Sequence, residues 1–189
     1  MHRELKFGKV TKRRNYDWVP GLLKTLLQIL LVCLLAFIIV LNYGRKVSCA
    51  GDSMNPTLEH GDIVLVDRFR YNAASPRRGD VVVFKLGGNE NSHANLKRVI
   101  AVPGDKLQIK EGKIYINDKV LEKDFIFDEI AEPGIASEEI VLNENEFFII
   151  GDNPQSSKDS RVFGPIERSE IIGKAWFVFQ PVKHSGFIK

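Results

Sequence analysis

Apolar and polar positions divide the chain into two regimes. Across residues 22–41 apolar side chains run almost unbroken, and residues 29–41 contain no polar one. A membrane-spanning helix needs ~20 mostly apolar residues. The segment reaches that length when Lys24, Thr25 and Gln28 occupy its first turns, where a lysine can snorkel. Beyond Asn42 the pattern becomes that of strands. Residues 63–69 are apolar and β-branched, which predicts a strand. Residues 81–84 form a short apolar run, expected to be a strand buried on both faces. Residues 96–102 predict another strand, stopped by Pro103-Gly104-Asp105. Residues 107–110 and 113–116 alternate across Glu111-Gly112, the pattern of a hairpin. Residues 139–142, 147–150 and 172–180 read as further strands, while residues 118–137 are less regular and more acidic. The expected fold class is therefore mainly β: a single N-terminal transmembrane helix followed by an all-β domain with short Gly-rich turns.

Length and charge refine this picture. The 189 residues suffice for one domain with a sizeable core plus an appendage. The net charge of +3 is concentrated at the start, where Arg3, Lys6, Lys9, Lys12, Arg13, Arg14 and Lys24 face only Glu4 and Asp17. Such a tail points to a membrane surface and not to nucleic acid. Basic residues on the N-terminal flank predict a cytoplasmic tail (residues 1–21), an anchor (22–41) and an extracytoplasmic domain (42–189), with Arg45 and Lys46 opposing weakly. Trp18 and Tyr43 bracket the anchor as interfacial residues would. A cleaved signal peptide, cut near Ser48-Cys49-Ala50, is the competing reading. The apolar stretch is long for that, and cleavage would leave a chain beginning at Gly51, inside the loop described next. A buried core helix would need a polar face, which is missing. Cys33 lies within the apolar segment, so no disulfide framework is expected with Cys49.

The chemistry gathers in three polar stretches. Residues 51–58, Gly-Asp-Ser-Met-Asn-Pro-Thr-Leu, are dense in turn formers. A tight loop of this kind either exposes Ser53 as a nucleophile beside its own backbone N–H groups or forms a surface turn with a locally satisfied hydroxyl. A nucleophilic serine needs a base. His2, His60, His93 and His184 show no pattern of a triad, and no His/Cys spacing suggests a metal. A neutral lysine is the other choice. Lys97 lies in Leu-Lys-Arg-Val-Ile-Ala-Val (residues 96–102): pointed inward it would lose solvation and charge, and on an edge strand it would be an ordinary exposed lysine. The third stretch, residues 151–161, carries hydroxyls, acids and a guanidinium, and alone reads as a solvated loop.

Together these stretches resemble the type I signal peptidases, over nearly the whole chain. Residues 51–58 resemble the nucleophile box, 78–84 the next, 97–105 the general-base box, and 151–153 with Ser157, Asp159, Ser160, Arg161 and Gly164 the last. The resemblance implies a Ser–Lys catalytic domain of the signal-peptidase and LexA-like type. It implies that Ser53 is the nucleophile, Lys97 the general base, and Ser157 the hydroxyl orienting the amine. It implies that Asp152, Asp159, Arg161 and Arg98 brace the site, Arg98 pairing with Asp152. The Ser53 N–H would be one oxyanion donor, and Met54, Leu58 and Leu96 would line a shallow pocket for a small residue. No cofactor is implied. The implied partners are signal peptides of exported preproteins and membrane lipid. Where some members carry a second oxyanion serine this chain has Gly51, and Pro154 stands where some relatives have Arg. Two other classes compete: a LexA-type self-cleaving protein, which would carry a DNA-binding motif in place of the anchor, and an inactive anchored β-domain serving as an export adaptor, which would lose the dyad.

Overall fold

The computed structural model describes residues 19–43, 45–88, 93–122 and 129–188. The chain divides into two compact units, residues 1–38 and 39–189. The first contains most of helix α1 (Val19–Tyr43). Its described side chains, Pro20 to Ile38, are exposed, with mean hydropathy 2.3. Pro20 sits in the first turn, where its missing N–H costs nothing. Thr25 Oγ1 donates back to the Gly21 carbonyl at 3.0 Å, so this hydroxyl is satisfied within the helix. At 1.5 Å per residue the helix measures roughly 37 Å, more than the ~30 Å hydrocarbon core of a bilayer. It is long and apolar enough to cross a membrane. It extends past residues 22–41 at both ends, because a helix continues through neighbours that are tolerated as well as those that are apolar. Trp18 and the tail before it lie outside the described residues, as does the Tyr43 side chain.

The second unit is built of antiparallel strands: β1 (Arg45–Ser48), β2 (Ile63–Asp67), β3 (Val81–Phe84), β4 (Asn95–Ala101), β5 (Lys106–Lys110), β6 (Lys113–Ile116), β7 (Lys119–Val120), β8 (Ile140–Val141), β9 (Glu146–Ile150), β10 (Ile166–Glu167), β11 (Ile171–Gln180) and β12 (Gly186–Phe187). The larger sheet runs β1-β2-β11-β3-β4-β9-β10, with β12 on β11, and the smaller runs β7-β6-β5-β8. Among the described residues, two short α-helices, α2 (Arg70–Ala73) and α3 (Ser160–Phe163), lie between strands. The hairpin between β5 and β6 turns on Glu111 and Gly112, both at positive φ (51° and 69°), the backbone that matches the strand twist. All four residues of β3 are buried, as the unbroken apolar run requires. Residues 123–128, within the irregular acidic region, are not described.

Three clusters form the core. Ile100, Leu107, Ile109, Ile114, Phe148 and Ile150 join the two sheets. Val82, Phe84, Val99, Phe147, Ile149 and Ile166 fill a second cluster. Met54 and Leu58, one helical turn apart (Leu58 N to Met54 O, 2.8 Å), pack with Val64, Val66, Val83 and Leu96 in the third. The loop carrying Ser53 is thus nailed to the core by its own two apolar residues.

Candidate active site

The loop is closed at its base. Cys49 N donates to Asp62 O at 2.7 Å, and Gly61 N donates to Cys49 O at 2.9 Å. The buried Asp62 carboxylate accepts from Glu59 N (2.9 Å) and meets His184 Nδ1 (2.9 Å). At the tip, Gly51 N donates to His60 Nδ1 at 2.9 Å. Ser53 O accepts from Asn153 N at 3.1 Å, which ties the first polar stretch to the third. Among the described residues no hydrogen bond engages the Ser53 N–H, so this donor is available to a ligand.

Lys97 comes from β4, opposite Val82 of β3. Its Nζ lies 2.6 Å from Ser53 Oγ. The lysine is 6% exposed. Burial lowers its pKa below the ordinary lysine value; Asp159 and Asp152 oppose that shift without reversing it. Cys49 Sγ is a further neighbour, but burial and then Asp62 push its thiol up to about 11, which keeps it neutral near pH 7. As an ammonium, Lys97 donates to Ser53; as a free amine, it can accept the serine proton.

Two buried ion pairs flank the lysine. Arg98, the next residue on β4, donates to Asp152 through Nε (2.7 Å) and through a terminal nitrogen (2.5 Å), with both side chains almost fully buried. This is the bidentate geometry that suits a planar guanidinium. Arg98 also donates to Gly79 O at 2.8 Å. Thr57 completes the unit, donating to Asp152 Oδ2 at 2.5 Å and accepting from Arg98 at 3.2 Å. On the other flank, Arg161 binds Asp159 through Nε (2.8 Å) and a terminal nitrogen (2.9 Å). Asp159 also caps α3 and accepts from Gly151 N at 3.1 Å. Ser157 Oγ donates to Asp159 Oδ2 at 2.6 Å, so what it can offer an amine is its lone pairs.

The structure therefore brings Ser53, Lys97, Arg98, Asp152, Ser157, Asp159 and Arg161 into one region, from elements far apart in sequence. Met54, Leu58 and Leu96 also meet, but as core: the first two are fully buried and Leu96 is 5% exposed. Gly151 allows the convergence, since a Cβ there would collide with both Ser157 Oγ and the Ser53 carbonyl oxygen. Sequence reasoning gave Thr57 no role, although it stands inside the quoted nucleophile box. It also missed the clasp on buried Asp80, which accepts from Tyr71 OH (2.9 Å), Arg77 N (3.0 Å) and Lys174 (2.5 Å). Burial would raise the Asp80 pKa, but these donors outweigh it and hold it below the usual value. The signal for Asp80 was its place in the second box.

A hydroxyl against a desolvated amine, on a mainly β domain, is the arrangement of a serine hydrolase whose base is lysine. The family model "Signal peptidase, peptidase S26" matches residues 22–180. The chain belongs to the signal peptidase family, peptidase S26. It is 32% identical to signal peptidase IB of Staphylococcus aureus over 177 residues, covering 84% of this chain and 91% of that protein. It is 31% identical to the probable signal peptidase I-2 of Synechocystis over 140 residues, covering 72% of this chain and 63% of that protein's length. A signal peptidase I structure from Enterococcus faecalis overlaps 53% of this chain and 97% of that chain, with 24% identity and a TM-score of 0.41. The family assignment favours neither a self-cleaving repressor nor an inactive adaptor.

Proposed function

We propose that the chain is a membrane-anchored serine endopeptidase that removes signal peptides from exported preproteins after small residues, with Ser53 as nucleophile and Lys97 as general base. The observation that carries this reading is the 2.6 Å approach of a buried lysine to Ser53 Oγ. Neutral Lys97 takes the Ser53 proton as Oγ attacks the scissile carbonyl carbon. The resulting oxyanion is met by the Ser53 N–H. The Lys97 ammonium then gives its proton to the leaving amine as the C–N bond breaks. Water attacks the acyl-Ser53 ester, Lys97 takes its proton and returns it to Oγ, and the serine is restored. Asp152 with Arg98 and Asp159 with Arg161 hold the framework, and Ser157 orients the amine by accepting from it. The Gly51 N–H is engaged with His60, so a second oxyanion donor comes from elsewhere. A small residue of the substrate rests on the layer that Met54, Leu58 and Leu96 support.

The test is Lys97→Arg, which keeps the charge but cannot deprotonate at working pH. Loss of signal-peptide cleavage to the level of Ser53→Ala is expected; measurable turnover by Lys97→Arg would exclude the lysine as base. Helix α1 serves as the anchor, with residues 1–21 in the cytoplasm and residues 42–189 outside. The exposed Phe187, Phe179 and Val182 suit contact with lipid. Protease added to right-side-out vesicles should then digest beyond Tyr43 and spare the tail, and digestion of the tail would overturn the orientation.

A further inference from the structure

Beside Ser157 the domain opens into a cleft of about 470 Å³, within the ~300–1,000 Å³ range of ligand sites. Its walls include Glu132, Gly134, Pro154, Gln155, Ser157 and Val162, with Arg161 behind them. The walls are built to hold their shape. Arg161 is 5% exposed. Its guanidinium donates to Glu132 O (3.2 Å), Pro154 O (2.7 Å) and Ser157 O (3.3 Å), joining segments on either side of the cleft. Gly134, at φ +58°, lies so close to the Arg161 carbonyl that a Cβ would collide with it. The cleft adjoins the loop that carries Ser53, since Ser157 in its wall and the Ser53 carbonyl oxygen both crowd Gly151.

Its position relative to the apolar layer gives it a role. Lys97 lies on β4, between β3 and β9. Leu96 pairs with Val83 of β3 and packs with Met54 and Leu58. Gly151 and the segment leading to Ser157 continue from β9, on the other side of β4. A peptide with its small residue over the apolar layer, toward β3, and its carbonyl at Ser53 has this cleft on the opposite, β9 side, past Ser157. The Arg161 charge is matched by Asp159. Glu132 is exposed at the rim, and its carboxylate has no ion pair among the described residues.

We propose that this cleft is the leaving-side subsite: it holds the first residues C-terminal to the scissile bond, and Glu132 favours basic over acidic side chains there. The proposal rests on the Ser53/Lys97 reading and is tested apart from it. Peptides identical up to the scissile bond carry Lys or Asp at each of the first four positions beyond it. They are compared with an anilide of the same small residue, whose leaving group is a single ring and reaches no further than the first position beyond the scissile bond. Full-length enzyme in detergent micelles is used throughout. At low salt the wild type should prefer Lys over Asp by about tenfold in kcat/KM at one or more positions. Glu132→Gln should bring that ratio near unity and Glu132→Lys should invert it, a change of sign that a purely structural role would not produce. The same ratio in all three enzymes overturns the role of Glu132. Val162→Trp, which fills the cleft, should lower kcat/KM for the extended peptides relative to the anilide; equal effects on both overturn the subsite itself. Anilide hydrolysis that survives in Ser53→Ala would instead refute the nucleophile, whatever the cleft does.

Discussion

Replacing Asp152 by asparagine removes one charge from the interior and little else. The wild-type carboxylate accepts two hydrogen bonds from Arg98 and one from Thr57, at 2.5–2.7 Å. The Arg98 and Asp152 side chains are 1% and 0% exposed, so water cannot replace a lost partner. An amide of the same shape keeps one acceptor oxygen but turns an NH₂ toward the guanidinium. The Arg98 guanidinium then loses the carboxylate it is paired with, and breaking a buried ion pair from one side costs about 3–5 kcal/mol. Against a total stability of roughly 5–15 kcal/mol this is a large fraction. At about 2–4 °C per kcal/mol for a domain of this size, Tm should fall by roughly 6–20 °C. The Thr57 contact is weakened as well, so the Ser53 loop should lose a tether and kcat/KM should fall. The assay is thermal unfolding in detergent micelles, followed by tryptophan fluorescence, with cleavage kinetics on the same samples. The double variant Arg98→Met/Asp152→Leu supplies the control. It removes both charges and should recover part of the loss. It leaves the Thr57 hydroxyl and Gly79 carbonyl without their partner, which costs about 1–3 kcal/mol per buried group. A Tm for Asp152→Asn within about 2 °C of wild type, or a double variant as unstable as the summed singles, would refute the reasoning.

Three further outcomes are expected. Because burial lowers the Lys97 pKa, kcat/KM should rise with pH with an apparent pKa below ~10.4, as the free amine becomes available; a profile rising only near pH 10 would mean an ordinary, solvated lysine. The same depressed pKa means that the folded state binds fewer protons than the unfolded one between the two values, so the Lys97 contribution to stability should grow as pH rises through that window and be lost as pH falls through the folded value. Gly151→Ala places a Cβ against Ser157 Oγ and the Ser53 carbonyl oxygen, and should cost about 10²-fold in kcat/KM by displacing the nucleophile loop; near-normal kinetics would show that the loop yields freely.

Local pattern determined a good deal of this protein. The apolar run before residue 42 makes a helix because nothing in it interrupts one, and the β5–β6 hairpin follows from alternation on both sides of Glu111-Gly112. β2, β3, β4, β9 and β11 coincide with the apolar runs to within a residue or two at most ends, because a strand buried in the core must supply its own apolar residues, a requirement each meets by itself. The short strands β7, β10 and β12 went unseen, since two residues carry no period. Strand order was equally hidden: β11 inserts between β2 and β3, and no local feature specifies a neighbour so distant in sequence. The site divides the same way. Turn chemistry marked the Ser53 loop as unusual, but Leu96 before Lys97 and Arg98 with Val99-Ile100 after it left its direction undecided. Only the tertiary structure buried that lysine against Ser53, joined Thr57 to Asp152 across 95 positions, and turned Met54 and Leu58 into the loop's anchor. Desolvation and ion pairing depend on which surfaces meet, and that is settled by the assembled core, not by any one segment.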